Sequence, residues 1–251
     1  MAVYYLNHER FQKGDTTKAL QFALSLMKED KNIKTITLLV YQQLHYEPFL
    51  GELKFTPKEL KNHGRVYRDV NLQVHTVKTY SPDYLFSGWQ PSEVLIAVGV
   101  PPKHLEQFED KSNVAHWIIV PWTLEENREI LSVYEAIDIE RGNAYPAPAP
   151  ADERVRNAIG WLKSTSYPNE GYHHPNDSER LHEMANALKK YKVPVSYASA
   201  VYCGMHNGLV PSAARQTAEA FMRAQNRLFT VGRDVNYDFL KQMMSETHDN
   251  S

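Results

Sequence analysis

The chain has 251 residues, 42% hydrophobic and 23% charged, a balance that excludes a disordered chain and supplies a core large enough to need no staples. Its net charge of −2 gives no bulk attraction to nucleic acid or an anionic membrane, so neither partner is expected. Its single cysteine, Cys203, excludes an internal disulfide and any cysteine-rich zinc module.

No apolar stretch approaches the roughly 20 residues of a membrane helix. The start, MAVYYLNHERF, lacks the basic segment and apolar run of a signal peptide, so a cytoplasmic protein is expected.

Ala2 to Leu6, AVYYL, predicts a short first strand that ends in the polar cluster Asn7-His8-Glu9-Arg10. A helix follows from Asp15, its expected cap, with Leu20, Ala23, Leu24 and Met27 at helical spacing. Ile33 to Tyr41 is rich in β-branched residues and predicts the second strand. Thr56-Pro57-Lys58-Glu59 is a capping box that opens a short helix, with Gly64 as its stop. Val70 to Thr79 alternates apolar and polar residues, as a third strand with one exposed face does, and Ser81-Pro82-Asp83 starts a further turn before Trp89.

Glu93 to Pro102, EVLIAVGVPP, carries an unbroken apolar run, the pattern of a strand buried on both faces in the middle of a parallel sheet. Gly99 turns the chain and Pro101-Pro102 opens the next helix. His116 to Val120 predicts the fifth strand. Thr123 to Glu126 reads as a second capping box, before a helix with Ile130, Leu131, Tyr134 and Ile137 on one face.

Five strands alternating with helical segments predict a Rossmann-like, doubly wound, mostly parallel five-stranded sheet over residues 1–141. GNAYPAPAPA, residues 142–151, reads as a semi-rigid linker, and residues 152–251 as an α-helical region. In that region Pro211 to Leu228 offers Ala214, Ala218, Phe221, Met222 and Gln225 as a contact face for a homo-oligomer.

The sequence holds no G-x-G-x-x-G, no P-loop, no G-x-S-x-G elbow, no H-E-x-x-H and no EF-hand loop, so no standard cofactor fingerprint is present. The expected site is therefore the carboxyl edge of the sheet, where open α/β sheets bind ligands. In the commonest five-strand order the first and third strands flank the crevice. Asn7, His8 and Glu9 would then face Tyr80, Ser81 and Asp83, with Gly99 and Thr123 beside them.

His8, Glu9 and Asp83 are the candidate catalytic residues: an imidazole for proton transfer, and carboxylates to orient it or hold a ribose hydroxyl. Asn7, Tyr80, Ser81, Gly99 and Thr123 are the candidate ligand-binding residues. Helix starts at Asp15, Pro102 and Thr123 offer amides for a phosphate. The expected ligand is a nucleotide or other small phosphorylated molecule, bound and either hydrolysed or used for group transfer. The plainer reading makes these ordinary loop polars.

Two alternatives remain. One is a protein–protein or oligomerisation module built on the C-terminal helices. The other is a metal-dependent hydrolase with His173, Asp177 and His182 as ligands, against which stands a solvated capping loop. Cys203 and His206, three apart on a helix, would share a face, although the apolar run before Cys203 marks it as a small buried hydrophobe.

Overall fold

The computed structural model of the chain describes residues 2–67, 70–81, 91–109, 113–166, 171–232 and 234–246. It divides into two compact units, 1–146 and 147–251, so the boundary falls within the predicted linker.

The first unit is α/β. Its strands are β1 (Ala2–Tyr5), β2 (Thr35–Val40), β3 (Gly64–Tyr67), β4 (Val70–Thr76), β5 (Glu93–Val98), β6 (Val114–Val120) and β7 (Ile137–Asp138). They form one sheet in the order β3-β4-β2-β5-β6-β1-β7, parallel except for the β3–β4 pair. The predicted central strand is β5, with three strands on either side and all six residues buried.

Its lost alternation has the expected cause. Val94, Ile96 and Val98 join an apolar cluster with Ala19, Leu20, Ala23 and Leu26 of α1 (Asp15–Glu29) and Phe49 and Leu50 of α2 (Tyr46–Leu50). Leu95 and Ala97 join another, with Leu105 and Phe108, at and just after α4 (Pro102–Leu105), and Ile130 and Leu131 of α5 (Leu124–Val133).

The sheet has two strands more than the five expected. Gly64 does not stop the preceding helix α3 (Pro57–Lys61); it begins β3, which pairs with β4. Its φ is +138°, and a Cβ there would lie 2.2 Å from the Leu72 carbonyl oxygen, so only glycine fits. Ile137 leaves the helical pattern for β7, because α5 ends at Val133 and Glu135 takes a left-handed φ of 46°. The Thr56–Glu59 capping box forms as predicted. The predicted turn at 82–83 lies outside the described residues.

The second unit holds α6 (Glu153–Thr165), α7 (Pro175–Lys190), α8 (Tyr197–His206), α9 (Pro211–Asn226) and α10 (Tyr237–Ser245). The small residues of α9 are spent inside it. Ala214, Ala218 and Phe221 are fully buried, and a Cβ on Gly204 of α8 would come within 2.9 Å of the Ala214 Cβ. The predicted oligomer face is thus an internal helix–helix contact in its larger part. Among the described residues no helix is long and apolar enough to cross a membrane.

Burial holds the imidazoles of His75, His116 and His182 below the ordinary histidine value of 6.5, helped at His75 by His63 and at His182 by Arg223. The unfolded chain therefore binds more protons than the folded one once the pH falls through 6.5, and stability drops with pH from there. The urea midpoint is expected to be lower at pH 5.5 than at pH 7.5, before the carboxylates with lowered pKa begin to titrate. Equal midpoints would contradict it.

Candidate functional site

The carboxyl ends of β1 and β6 lie side by side. Their following helices, α1 and α5, belong to different apolar clusters. Backbone bonds stitch the loops together: Phe11 N donates to the Trp122 carbonyl (3.0 Å), Leu124 N donates to that of Glu9 (3.1 Å), and Arg10 bridges Thr123. Asn7, His8, Glu9 and Thr123 are therefore neighbours, as the sheet-edge rule requires, although the flanking strand is β6 rather than the third predicted strand.

His8 is the centre of this cluster. Its Nδ1 lies 2.9 Å from Oδ1 of Asp15, and its Nε2 lies 3.5 Å from Oε2 of Glu140. Asp15 is only 2% exposed, and its other oxygen accepts from the Gln12 amide at 2.8 Å, so the carboxylate is fixed from two sides. Each ring nitrogen of His8 therefore faces a carboxylate oxygen, Nδ1 that of Asp15 and Nε2 that of Glu140.

Lys18, one turn along α1, donates to Oε1 of Glu140 at 2.6 Å. That bond holds the Glu140 carboxyl below its usual range and pushes the Lys18 ammonium up. Glu140 is itself positioned by Asp138, whose Oδ1 accepts from the Glu140 amide at 2.9 Å and the Arg141 amide at 3.2 Å. Asn7 donates to the second oxygen of Asp138 (3.2 Å), which ties the ends of β1 and β7 together.

Several expectations fall elsewhere. Asp15 is not the α1 cap; Gly14 holds that position, and Glu52 accepts from the Gly14 (2.8 Å) and Thr17 (3.0 Å) amides. A protein carboxylate thus fills the anion position at that helix start. At α5 the Leu124 amide goes to Glu9 and the Glu126 amide to the Thr123 hydroxyl (3.4 Å). Glu9 is exposed and contributes its carbonyl, so Asp15 takes the orienting role expected of it.

Gly99 sits beneath the Phe49 ring at the end of β5. Tyr80 and Ser81 follow β4, four strand spacings or about 19 Å across the sheet from β1, and line a different cavity. The predicted convergence with His8 fails because β2, β5 and β6 stand between. Asp83 lies outside the described residues.

The predicted metal ligands do not assemble. His182 stacks on Phe229 with centroids 3.9 Å apart, Asp177 is buried 3.5 Å from Arg180, and His174, not Asp177 or Ser178, caps α7. Among the described residues no group of three or more His, Cys, Asp or Glu could hold a metal ion. The Cys203 sulfur accepts from Asn207 (3.3 Å) while His206 Nδ1 meets the Tyr202 carbonyl (3.0 Å), and burial pushes the thiol up. They form no catalytic pair.

Comparison of the chain with protein-family models, with curated proteins and with solved structures finds no match. Lys18 and Glu140, which complete the site, are 122 residues apart, and nothing in the spacing of either marks it in the sequence.

Proposed function

We propose that the α/β unit binds a nucleotide or another small phosphorylated ligand at the carboxyl end of β1. One observation carries the reading. An imidazole and an ammonium, from His8 and Lys18, converge on one carboxylate, Glu140, whose side chain is 40% exposed. Two donors gripping a replaceable carboxylate make an anion position, and a phosphate carries more charge and more acceptor oxygens than the group it would displace. A Rossmann-like, doubly wound sheet is part of the proposal, supported by the separate clusters of α1 and α2 and of α4 and α5. In such sheets ligands bind where neighbouring connections diverge.

In hydrolysis or transfer of the bound group, the oxygen of the attacking water or hydroxyl bonds to phosphorus and releases its proton to solvent, and His8 Nε2–H gives its proton to the leaving oxygen as the bond from phosphorus to that oxygen breaks, while Asp15 holds the ring. Thr123 and Asn7 frame the site through the β1–β6 and β1–β7 contacts.

Calorimetric titration with inorganic tripolyphosphate, which carries no base, tests this. His8→Ala and Lys18→Ala are each expected to weaken binding about tenfold or more, the worth of one charge-assisted hydrogen bond. Glu140→Ala is expected to tighten it, and Glu9→Ala to leave it unchanged. Equal affinity in wild type, Lys18→Ala and Glu140→Ala would overturn the assignment.

A further inference from the structure

On the opposite half of the sheet, β4 shows a pattern that the carboxyl-end site does not use. Val70, Leu72 and Val74 point into the apolar cluster of α1, while Asn71, Gln73 and His75 alternate onto the other face. Beyond Glu93, that same face of β5 and β6 is apolar, with Leu95, Ala97, Trp117 and Ile119. A polar row on a sheet face asks for a hydrogen-bonding occupant.

The row borders a cavity of about 450 Å³, a volume suited to a small molecule. Tyr80 forms one wall, its hydroxyl donating to Glu93 at 3.0 Å, and Asn113 reaches the other oxygen of Glu93 at 3.5 Å.

Hydrogen bonding here is incomplete at one point. Gln73 and His75 bond each other at 3.3 Å, and the His75 ring also meets the Thr79 backbone. Thr37, beside Gln73 in the sheet register, is 0% exposed, and its hydroxyl has no partner among the described residues. The ring of His63 stacks on that of His75, with centroids 4.9 Å apart and planes 5° apart. His63 holds this position from a left-handed backbone, φ 56°, a conformation disfavoured for any residue with a Cβ.

The charge of the lining narrows the ligand. Among the described lining residues the one permanent cation is Arg65, and its guanidinium is engaged at Leu53 O (3.0 Å), Glu59 (3.5 Å) and the face of Phe55 (4.6 Å). Among the described residues the lining therefore holds no further permanent cation for a phosphate and instead offers carboxamides, hydroxyls, the Glu93 carboxylate and a stacked aromatic pair. Carboxamides pair with the donor–acceptor edges of nucleobases, and imidazole faces stack on their rings.

We propose that this cavity binds the base of a neutral nucleoside, independently of the anion position at Lys18. The test is titration of the full-length protein with adenosine, guanosine, cytidine and uridine, followed by nuclear magnetic resonance. Saturable binding of at least one nucleoside is expected, with the His75 imidazole signals shifting and the matching monophosphate binding no tighter. Gln73→Met and His63→Ala are expected to weaken it about tenfold or more, and Lys18→Ala to leave it unchanged. Asn71→Ala, at an exposed position, gives the same readout should Gln73→Met fold poorly. Three results would each overturn the proposal: no saturable binding at millimolar nucleoside, binding untouched by the cavity variants, or a monophosphate bound much more tightly than its nucleoside.

Discussion

Valine in place of Gly99 is expected to unfold the α/β unit at urea concentrations that leave the wild type intact, and alanine to cost about 2–4 kcal/mol. Gly99 has a φ of +59°, and a Cβ built there would lie 2.5 Å from Cζ and 2.7 Å from Cε2 of Phe49. The ring cannot step aside freely. It meets Phe11 at 4.8 Å, Trp122 at 5.5 Å and His45 at 5.6 Å between centroids, and the Thr16 hydroxyl holds the Phe49 carbonyl at 2.6 Å. The Gly99 amide also donates to Val120 at 2.9 Å, which fixes the turn leaving the central strand.

Strain and overpacking therefore add. Their sum for valine, about 3–6 kcal/mol, rivals the total stability of many domains. Phe49→Leu in the Gly99→Ala background is expected to recover part of the loss, because the clash is with the ring. A Gly99→Ala urea midpoint equal to that of the wild type would show that the close approach is absent.

Asp15→Ala is expected to lose about 2–4 kcal/mol, because it strips two donors of one buried acceptor. His8 Nδ1 and the Gln12 amide both meet this carboxylate. Tripolyphosphate binding should fall with it, since an unheld ring no longer presents Nε2 toward Lys18 and Glu140. Asp15→Asn separates the two effects. Its amide oxygen still accepts from Gln12, so the fold should survive with a smaller loss of roughly 1 kcal/mol. Its NH2 group then faces His8 Nδ1 and donates to it, so Nδ1 can no longer carry a proton, and the imidazole nitrogen shifts of His8 should report the change. Unchanged imidazole shifts in Asp15→Asn, with unchanged tripolyphosphate affinity, would remove Asp15 from the site.

Much of the fold was legible because burial writes itself into local pattern. The apolar run of β5 named its central place, the alternation of β4 named its one polar face, and Thr56–Glu59 announced its own cap. The two missed strands carry no such pattern. β3 depends on a glycine that local reading assigns to a helix end, and β7 is two residues long behind a left-handed glutamate.

The site divides the same way. Asn7 and His8 stood out as polar residues at a strand end. Asp15 looked like a helix cap, since a carboxylate one residue before or after the helix start reads alike. Glu140 and Lys18 meet only because β7 lies beside β1, a fact of strand order. Strand order also separated Tyr80 and Ser81 from His8, and no stretch of sequence encodes that separation.

The anion position at Lys18 is tested most directly by native mass spectrometry of the purified protein after exchange into inorganic tripolyphosphate, which carries no base. Wild type, Glu140→Ala and the Lys18→Ala/Glu140→Ala double variant are compared side by side. The expected result is a tripolyphosphate-bound species that grows when Glu140 is removed and collapses when Lys18 is removed as well. The same bound fraction in all three proteins, or bare protein in each, would contradict it.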